Sequence, residues 1–128
     1  MIQRLYIFIL FSLFFSHVLA QTDSLRSEAQ NCYDRGYYQR GINLLSQIPD
    51  DSLTLDDMRL RYDCFCQTGQ LDSLFYWGER VVNRSPLDRI VPDLTYRLNN
   101  ADPQHVNPGK AIEICLRYQQ HDSTHVLV

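Results

Sequence analysis

Several signatures of catalysis and of nucleic-acid binding are missing from this 128-residue sequence. It has no glycine-rich phosphate loop, no nucleophile-elbow motif, and no histidine or serine in a recognisable frame with its acidic residues. It contains a single lysine, Lys110, and its arginines are interspersed with acidic residues instead of forming a basic stripe. These absences predict a chain that is not an enzyme and uses no cofactor, and they argue against nucleic acid as a partner.

A complete set of metal ligands is missing as well. Cys64 and Cys66 are two residues apart, which on a helix directs the two thiols about 200° apart. Neither a second Cys-x-x-Cys motif nor a matched histidine pair completes a tetrahedral zinc set. His121 and His125 bracket Asp-Ser-Thr, a combination that predicts a loop preceding another helix. The sequence therefore predicts no metal site.

The first twenty residues have the features of an export signal. Arg4 supplies a positive charge, residues 5–15 are almost wholly apolar, and Val18 and Ala20 occupy the −3 and −1 positions of a cleavage site. A transmembrane anchor is the competing interpretation, but the apolar run is shorter than the roughly 20 residues that a spanning helix needs. We therefore expect residues 1–20 to be removed, leaving residues 21–128 as an exported domain without a membrane span, in the periplasm or outside the cell.

Residues 29–49 have the pattern of a helical hairpin around which the rest of the domain is organised. Small and apolar residues recur at i, i+4, i+7 and i+8, which is one face of an α-helix: Leu25, Ala29, Cys32 and Tyr33. Gly36 then interrupts the pattern, as a residue that tolerates the left-handed conformation at a helix end. A second periodic run follows and ends at Pro49: Tyr38, Gly41, Ile42, Leu45 and Ile48. One hairpin cannot complete its own core, so neighbouring hairpins are expected.

The same spacing returns further along the chain. Gly69 follows Gly36 by 33 residues, and the positions around it repeat the two apolar runs: Met58, Tyr62, Phe65 and Cys66, then Leu71, Leu74, Phe75, Gly78 and Val81. A weaker third copy contains Ala111, Ile112, Cys115 and Tyr118 at helix-core positions. The spacing predicts three units, at about residues 22–50, 52–84 and 86–121.

This repeat resembles the tetratricopeptide repeat (TPR) family over nearly all of residues 21–128. The first unit meets the family pattern of small, aromatic and large residues with Ala29, Gly36, Tyr38, Gly41 and Leu45. The second unit departs from it, because Tyr62 and Leu74 replace small residues and Gly78 replaces a large one. That exchange could conserve volume across the contact. The resemblance implies an all-α, right-handed TPR-like α-solenoid of antiparallel helical hairpins.

Local signals predict where the helices begin. Oxygen-bearing side chains that can cap the helix at residues 53–67 are those of Asp50, Asp51 and Ser52. Asp72 or Ser73 can cap the helix at residues 74–83. Pro92 would kink a helix that began earlier, so a short helix at residues 92–99 is expected, followed by another that starts near Pro108.

The resemblance also implies a binding surface, because TPR proteins typically bind peptide segments in the groove lined by the first helix of each hairpin. The residues at those positions are Gln30, Tyr33, Asp34, Arg59, Asp63 and Gln67. Tyrosine and arginine commonly anchor interfaces. The implied function is a non-enzymatic protein- or peptide-binding scaffold in the cell envelope.

The four cysteines leave alternatives open. As small apolar residues at helical core positions, Cys32, Cys64, Cys66 and Cys115 can simply fill space. In an exported chain, Cys32 can instead form a disulfide with Cys64 or Cys66. A thiol-based redox or metal-binding helical module is therefore the alternative function.

The last residues, 126–128, begin an apolar run after the predicted loop at residues 121–124. Solenoids usually end in a helix with a polar outer face, which the sequence does not provide here. We expect either that this chain is the N-terminal part of a longer array, or that its uncapped end is covered by another chain, which includes self-association.

Overall fold

A computed structural model describes residues 2–102, 107 and 109–126, with side chains up to residue 121. These residues form six α-helices and no strand: α1 (Ile2–Asp34), α2 (Tyr38–Leu45), α3 (Leu55–Thr68), α4 (Leu71–Arg84), α5 (Val91–Asn100) and α6 (Gly109–Val126). The prediction of an all-α fold is confirmed. The helices pack as the pairs α1/α2, α3/α4 and α5/α6. The chain divides into two compact units, Met1–Ser52 and Leu53–Val128.

In the first unit, a glycine turn joins α1 to α2. Gly36 has φ +83°, a conformation that costs a residue without a Cβ little. Its N–H donates to the Tyr33 carbonyl at 3.0 Å, and the Tyr37 N–H donates to the Cys32 carbonyl at 2.8 Å. These two hydrogen bonds are those of a Schellman motif, so the predicted role of Gly36 is confirmed. The turn brings Ala29 and Cys32 of α1 into a core shared with Ile42, Leu45 and Ile48, all of them buried.

The N-terminal half of α1 contributes almost nothing to that core. Its large apolar side chains between Ile2 and Leu19 are exposed, and α1 is long and apolar enough to cross a membrane. Such a helix is compatible with a signal sequence and equally with a membrane span.

In the second unit, α3 begins at a capping box. The Asp57 N–H donates to Thr54 Oγ1 at 3.2 Å, and the Thr54 N–H donates to Asp57 Oδ2 at 3.0 Å. The predicted caps are therefore wrong: Asp50, Asp51 and Ser52 form a separate 3-10 turn. The reciprocal Thr-x-x-Asp pair satisfies two backbone donors at once, whereas the earlier acidic residues lie too far from the first helical turn.

Gly69 closes α3 as predicted, with φ +70° and its N–H donating to the Phe65 carbonyl at 3.0 Å. The helix after it starts earlier than predicted. Asp72 and Ser73 were expected as caps, but both lie inside the first turn of α4, and Gln70 occupies the N-cap without a side-chain cap bond. The buried face of α4 consists of Leu74, Trp77, Gly78, Val81 and Val82.

Gly78 makes the close approach between α4 and its neighbours possible. A Cβ on Gly78 would lie 2.8 Å from Leu94 Cδ1 and 3.0 Å from Tyr62 Cε2. Tyr62 on α3 and Leu94 on α5 are almost completely buried. The large Tyr62 thus occupies space that the small Gly78 leaves, which is the volume exchange expected from the sequence. Leu94 from the next hairpin fills the remaining space.

The third pair follows the prediction in its first helix and departs from it in its second. Helix α5 has the predicted position to within a residue at each end. Helix α6 buries Ala111 and Ile114, whereas Ile112 is 62% exposed and Cys115 is exposed. The expected core positions Ile112 and Cys115 are therefore wrong, because apolar residues occur on two faces of α6 and packing against α5 selects the face with Ile114.

The end of α6 also differs from the prediction. The helix continues to Val126, so the backbone at residues 121–124 is helical and the expected loop is wrong. The prediction of an apolar run at residues 126–128 extends beyond the described residues.

Candidate functional site

The six predicted groove residues fall into two groups, one in each unit. On α1, Gln30 and Asp34 are exposed and joined to each other by a 3.0 Å hydrogen bond from Gln30 Nε2 to Asp34 Oδ1. Tyr33 is half-buried, and its ring meets the Tyr38 ring edge-on at a centroid distance of 5.4 Å. This surface of α1 is an open polar face beside one partly covered tyrosine.

On α3, two of the three predicted residues are engaged within the protein. Arg59 donates through Nε and Nη2 to Asp88 Oδ2, at 2.7 and 2.6 Å, and through Nη1 to Asp56 Oδ1 at 2.7 Å. Asp63 accepts from Arg89 Nη2 at 3.0 Å. Gln67 remains exposed. Arg59 and Asp63 thus hold the segment between α4 and α5 against α3, a structural task that sequence spacing did not reveal.

The Arg59–Asp88 contact is the most buried ion pair of this segment. The Asp88 side chain has no exposed surface, while that of Arg59 is 27% exposed. Asp88 Oδ1 also accepts from the Ile90 backbone N–H at 3.2 Å. Hydrogen bonding to Asp88 raises the pKa of Arg59 further above its already high value. The chain leading into α5 is therefore fixed by a fully hydrogen-bonded carboxylate.

A second polar contact joins α5 to α3. The Tyr62 hydroxyl donates to Asp93 Oδ2 at 2.6 Å, and Arg97 Nε donates to the same oxygen at 2.8 Å. Burial alone would raise the pKa of Asp93, but these hydrogen bonds outweigh it and lower the pKa. The stabilisation from Asp93 is then present above the ordinary carboxylate pKa and is lost as the pH falls through the lowered value.

These contacts place α5 so that it forms one wall of a cleft with α4 and α6. The cleft has a volume of about 300 Å³, and we name it the α4–α6 cleft. Its lining residues are Asp72, Phe75, Glu79, Leu94, Leu98, Asn107, Lys110 and Ile114.

Helical spacing explains why these side chains converge. Positions three, four or seven apart share a face of an α-helix. Helix α4 contributes residues 72, 75 and 79, α5 contributes residues 94 and 98, and α6 contributes residues 110 and 114. Buried Leu94, Leu98 and Ile114 form an apolar floor, with the half-buried Phe75 beside it.

The rim of the cleft is charged. Lys110 Nζ lies 2.5 Å from Glu79 Oε1 and 3.7 Å from Glu113 Oε2. The hydrogen bond to Glu79 raises the pKa of Lys110, so this ammonium stays protonated at neutral pH. Asp72 is exposed and forms no ion pair within the described part of the chain. The rim therefore combines a neutralised Lys–Glu pair with one open carboxylate.

Sequence reasoning missed this cleft, although it singled out three of its lining residues for other reasons. Lys110 is the sole lysine, Asp72 is predicted as a helix cap, and Phe75 belongs to the repeat pattern. The i, i+3, i+7 spacing of residues 72, 75 and 79 was a visible signal of a shared face. No feature of the neighbouring sequence indicated which helices would pack opposite this face of α4.

The cysteines differ in their surroundings. Cys32 and Cys64 are buried, Cys66 is half-buried and Cys115 is exposed, and no disulfide joins any of the four, all of which lie in the described residues. Cys32 belongs to the first unit, whereas Cys64 and Cys66 belong to the second. The disulfide of Cys32 with Cys64 or Cys66 stays a prediction. Within the described ranges, no group of three or more His, Cys, Asp or Glu residues is placed to hold a metal ion.

Comparisons with protein-family models, with curated protein sequences and with solved structures found no match to this chain.

Proposed function

We propose that this chain is a non-enzymatic scaffold of TPR-like helical hairpins that binds a protein or peptide segment, with the α4–α6 cleft as its recognition site. The observation that carries the proposal is the cleft itself, with its apolar floor and charged rim. The way in which α5 packs against both helices of the preceding hairpin, through Tyr62 and Gly78, supports the TPR-like interpretation. Stacked hairpins commonly present such surfaces to partners.

The size and lining of the cleft favour a side chain of a larger partner. Pockets for small molecules usually begin at about 300 Å³, so this cleft lies at the lower end of that range. Leu94, Leu98 and Ile114 are already buried, so an aliphatic or aromatic anchor removes apolar surface from water chiefly by packing on the half-buried Phe75 above them. A peptide with one such side chain can occupy the apolar floor of the cleft and leave the charged residues of its rim accessible.

The rim specifies what should flank that anchor. The Lys110 ammonium is already held by Glu79, whereas Asp72 offers an open carboxylate. A lysine or arginine next to the anchor residue can form a charge-assisted hydrogen bond with Asp72. We therefore propose a partner segment with an apolar residue followed by a basic one.

The test uses two fluorescently labelled peptides that differ only in whether lysine or glutamate follows a central leucine. The full-length chain is expected to bind the lysine peptide about tenfold more tightly, which corresponds to about 1.4 kcal/mol. The variant Asp72→Lys should abolish or reverse this preference, because it replaces the open carboxylate with a like charge. Fluorescence anisotropy titrations measure both affinities.

The matched control is Asp34→Lys, which makes the same charge reversal on the predicted groove face of α1. It should leave the preference for the lysine peptide unchanged. If Asp34→Lys alters the preference and Asp72→Lys does not, the recognition site is the α1 face and the cleft proposal is wrong. If neither peptide binds at concentrations near 1 mM, the proposed motif is wrong.

The proposal includes export. A cleaved signal at residues 1–20 would deliver the domain to the periplasm or the exterior, in keeping with the small residues Val18 and Ala20 before the expected cleavage point. N-terminal sequencing of the protein recovered outside the cytoplasm should then begin at Gln21. A protein that retains Met1 and stays with the membrane fraction would instead identify α1 as an anchor.

The thiol-based alternative receives less support from the cysteine surroundings. Burial raises the pKa of the Cys66 thiol, whereas reactive cysteines have lowered pKa values because the thiolate is the nucleophile. Arg97 acts in the opposite direction but does not reverse the shift. The scaffold proposal is therefore preferred.

A further inference from the structure

The outer face of the third hairpin is exposed at a position, Cys115, whose equivalent in the second hairpin is covered. When the sequence of α4 is aligned with that of α6 at an offset of 37 residues, Leu74 corresponds to Ala111 and Trp77 to Ile114, and all four residues are buried. In the same alignment Gly78 corresponds to Cys115. Gly78 lies against Leu94 of α5, whereas Cys115 is exposed. Helix α4 is covered there by the next helix, whereas α6 presents the equivalent surface to solvent.

This face is uncharged. On α6 it consists of Ile112, Cys115, Leu116 and Gln119, and on α5 of Pro92, Thr95, Tyr96 and Asn99. Ile112 and Leu116 are 62% and 55% exposed. Because none of these eight side chains carries a charge, a second copy of the same face can approach it without like-charge repulsion.

A groove in this face matches a side chain beside it. Val91, Pro92, Thr95, Cys115, Tyr118 and Gln119 line a groove of about 230 Å³, and a cavity of about 150 Å³ already holds a benzene ring. Tyr96 follows Thr95 directly and is 69% exposed. A two-fold interface places residue i of each copy against residue j of the other. A face that bears a projecting ring beside a groove can therefore make the same ring-in-groove contact twice within one dimer.

From these observations we infer that the outer face of the third hairpin is a homodimer interface, in which Tyr96 of each copy enters the groove beside Cys115 of the other. The eight residues of this face are distinct from those of the α4–α6 cleft, so the inference does not depend on the peptide-binding proposal. The occupant of this face is a second copy of the chain, and binding of a different protein there is the competing outcome of the test.

Sedimentation equilibrium of the full-length chain, in density-matched detergent micelles that accommodate the apolar part of α1, should reveal a concentration-dependent monomer–dimer equilibrium. Tyr96→Ala should raise the dimer dissociation constant at least tenfold, as expected for a buried aromatic anchor. Tyr37→Ala is the matched control, since Tyr37 is 60% exposed and belongs to the first unit. It should leave the dissociation constant unchanged.

A mixing experiment distinguishes this interface from others. Tyr96→Ala keeps the groove and loses the ring, whereas Cys115→Trp keeps the ring and fills the groove. Neither variant should dimerise with itself. An equimolar mixture of the two should form heterodimers, because Tyr96 of the Cys115→Trp variant can still enter the groove of the Tyr96→Ala variant. Circular dichroism checks that each variant keeps its helical content.

Three results would overturn the inference. The wild-type chain could remain a monomer up to about 1 mM, a concentration at which even weak interfaces associate. Tyr96→Ala could behave like Tyr37→Ala, which would place the contact elsewhere, including the apolar half of α1. The mixture could fail to recover heterodimers, which would exclude a reciprocal ring-and-groove contact and leave the face to a different partner.

Discussion

Replacing Asp88 with alanine is expected to lower the free energy of unfolding by about 1–3 kcal/mol, the usual cost of leaving a buried hydrogen-bonding group without its partner. The Asp88 side chain is completely buried, and its two oxygens accept hydrogen bonds from Arg59 and from the Ile90 backbone N–H. Removing it leaves the Arg59 guanidinium partly desolvated and the backbone donor unsatisfied. Denaturant unfolding followed by circular dichroism measures the loss.

The matched control is Asp56→Ala, which removes the other carboxylate that binds Arg59. Asp56 is 88% exposed, and an exposed ion pair contributes only about 0.2–1 kcal/mol. The losses of unfolding free energy caused by Asp88→Ala and Asp56→Ala should thus differ several-fold, although both carboxylates bind the same arginine. Equal losses from the two substitutions would mean that Asp88 is solvated in solution and that the segment before α5 is not held against α3.

A second large loss is expected from Gly78→Leu, although this change restores the large residue that the TPR pattern has at this position. The leucine would have to enter space already occupied by Tyr62 and Leu94, both almost completely buried. Overpacking of a core typically costs about 1–3 kcal/mol, and the gain of up to about 1 kcal/mol from replacing a helical glycine only partly offsets it. We expect a net loss of about 1–2 kcal/mol.

The equivalent position in the first unit, Leu45, provides the contrast. There the small residues Ala29 and Gly41 leave room for the leucine, which is fully buried. Leu45→Gly should therefore create a cavity and destabilise the first unit, whereas glycine at position 78 stabilises the second. If Gly78→Leu raised the melting temperature instead, the volume exchange between Tyr62 and Gly78 would be wrong.

The features that could be predicted from the sequence are those with local causes. Gly36 and Gly69 end their helices because a left-handed backbone favours glycine wherever it occurs. The capping box of Thr54 and Asp57 is also local, and its Thr-x-x-Asp spacing was visible, but three earlier oxygen-bearing residues competed with it. The start of α4 gave no such signal, since Gln70 makes no side-chain cap bond.

The features that could not be predicted depend on which elements meet. Apolar residues lie on two faces of α6, and only packing against α5 decides that Ile114 is buried and Ile112 is not. Arg59 has the position of a groove residue, yet its partner Asp88 lies 29 residues away in a connecting segment. The α4–α6 cleft takes its lining from three helices and from Asn107 before α6, so no single stretch of sequence contains its pattern.

The packing of α5 on α4 at Gly78 underlies both the stacking of the second and third hairpins and the α4–α6 cleft, so it is the contact to measure first. A double-mutant cycle of Gly78→Ala and Leu94→Ala measures it by denaturant unfolding. In the wild-type background, Gly78→Ala should be destabilising, since the added Cβ would lie 2.8 Å from Leu94 Cδ1. In the Leu94→Ala background the same change should be neutral or stabilising by up to about 1 kcal/mol, the helix-propensity gain of alanine over glycine. A coupling of about 1–3 kcal/mol would support the packing, whereas additivity within about 0.5 kcal/mol would contradict it.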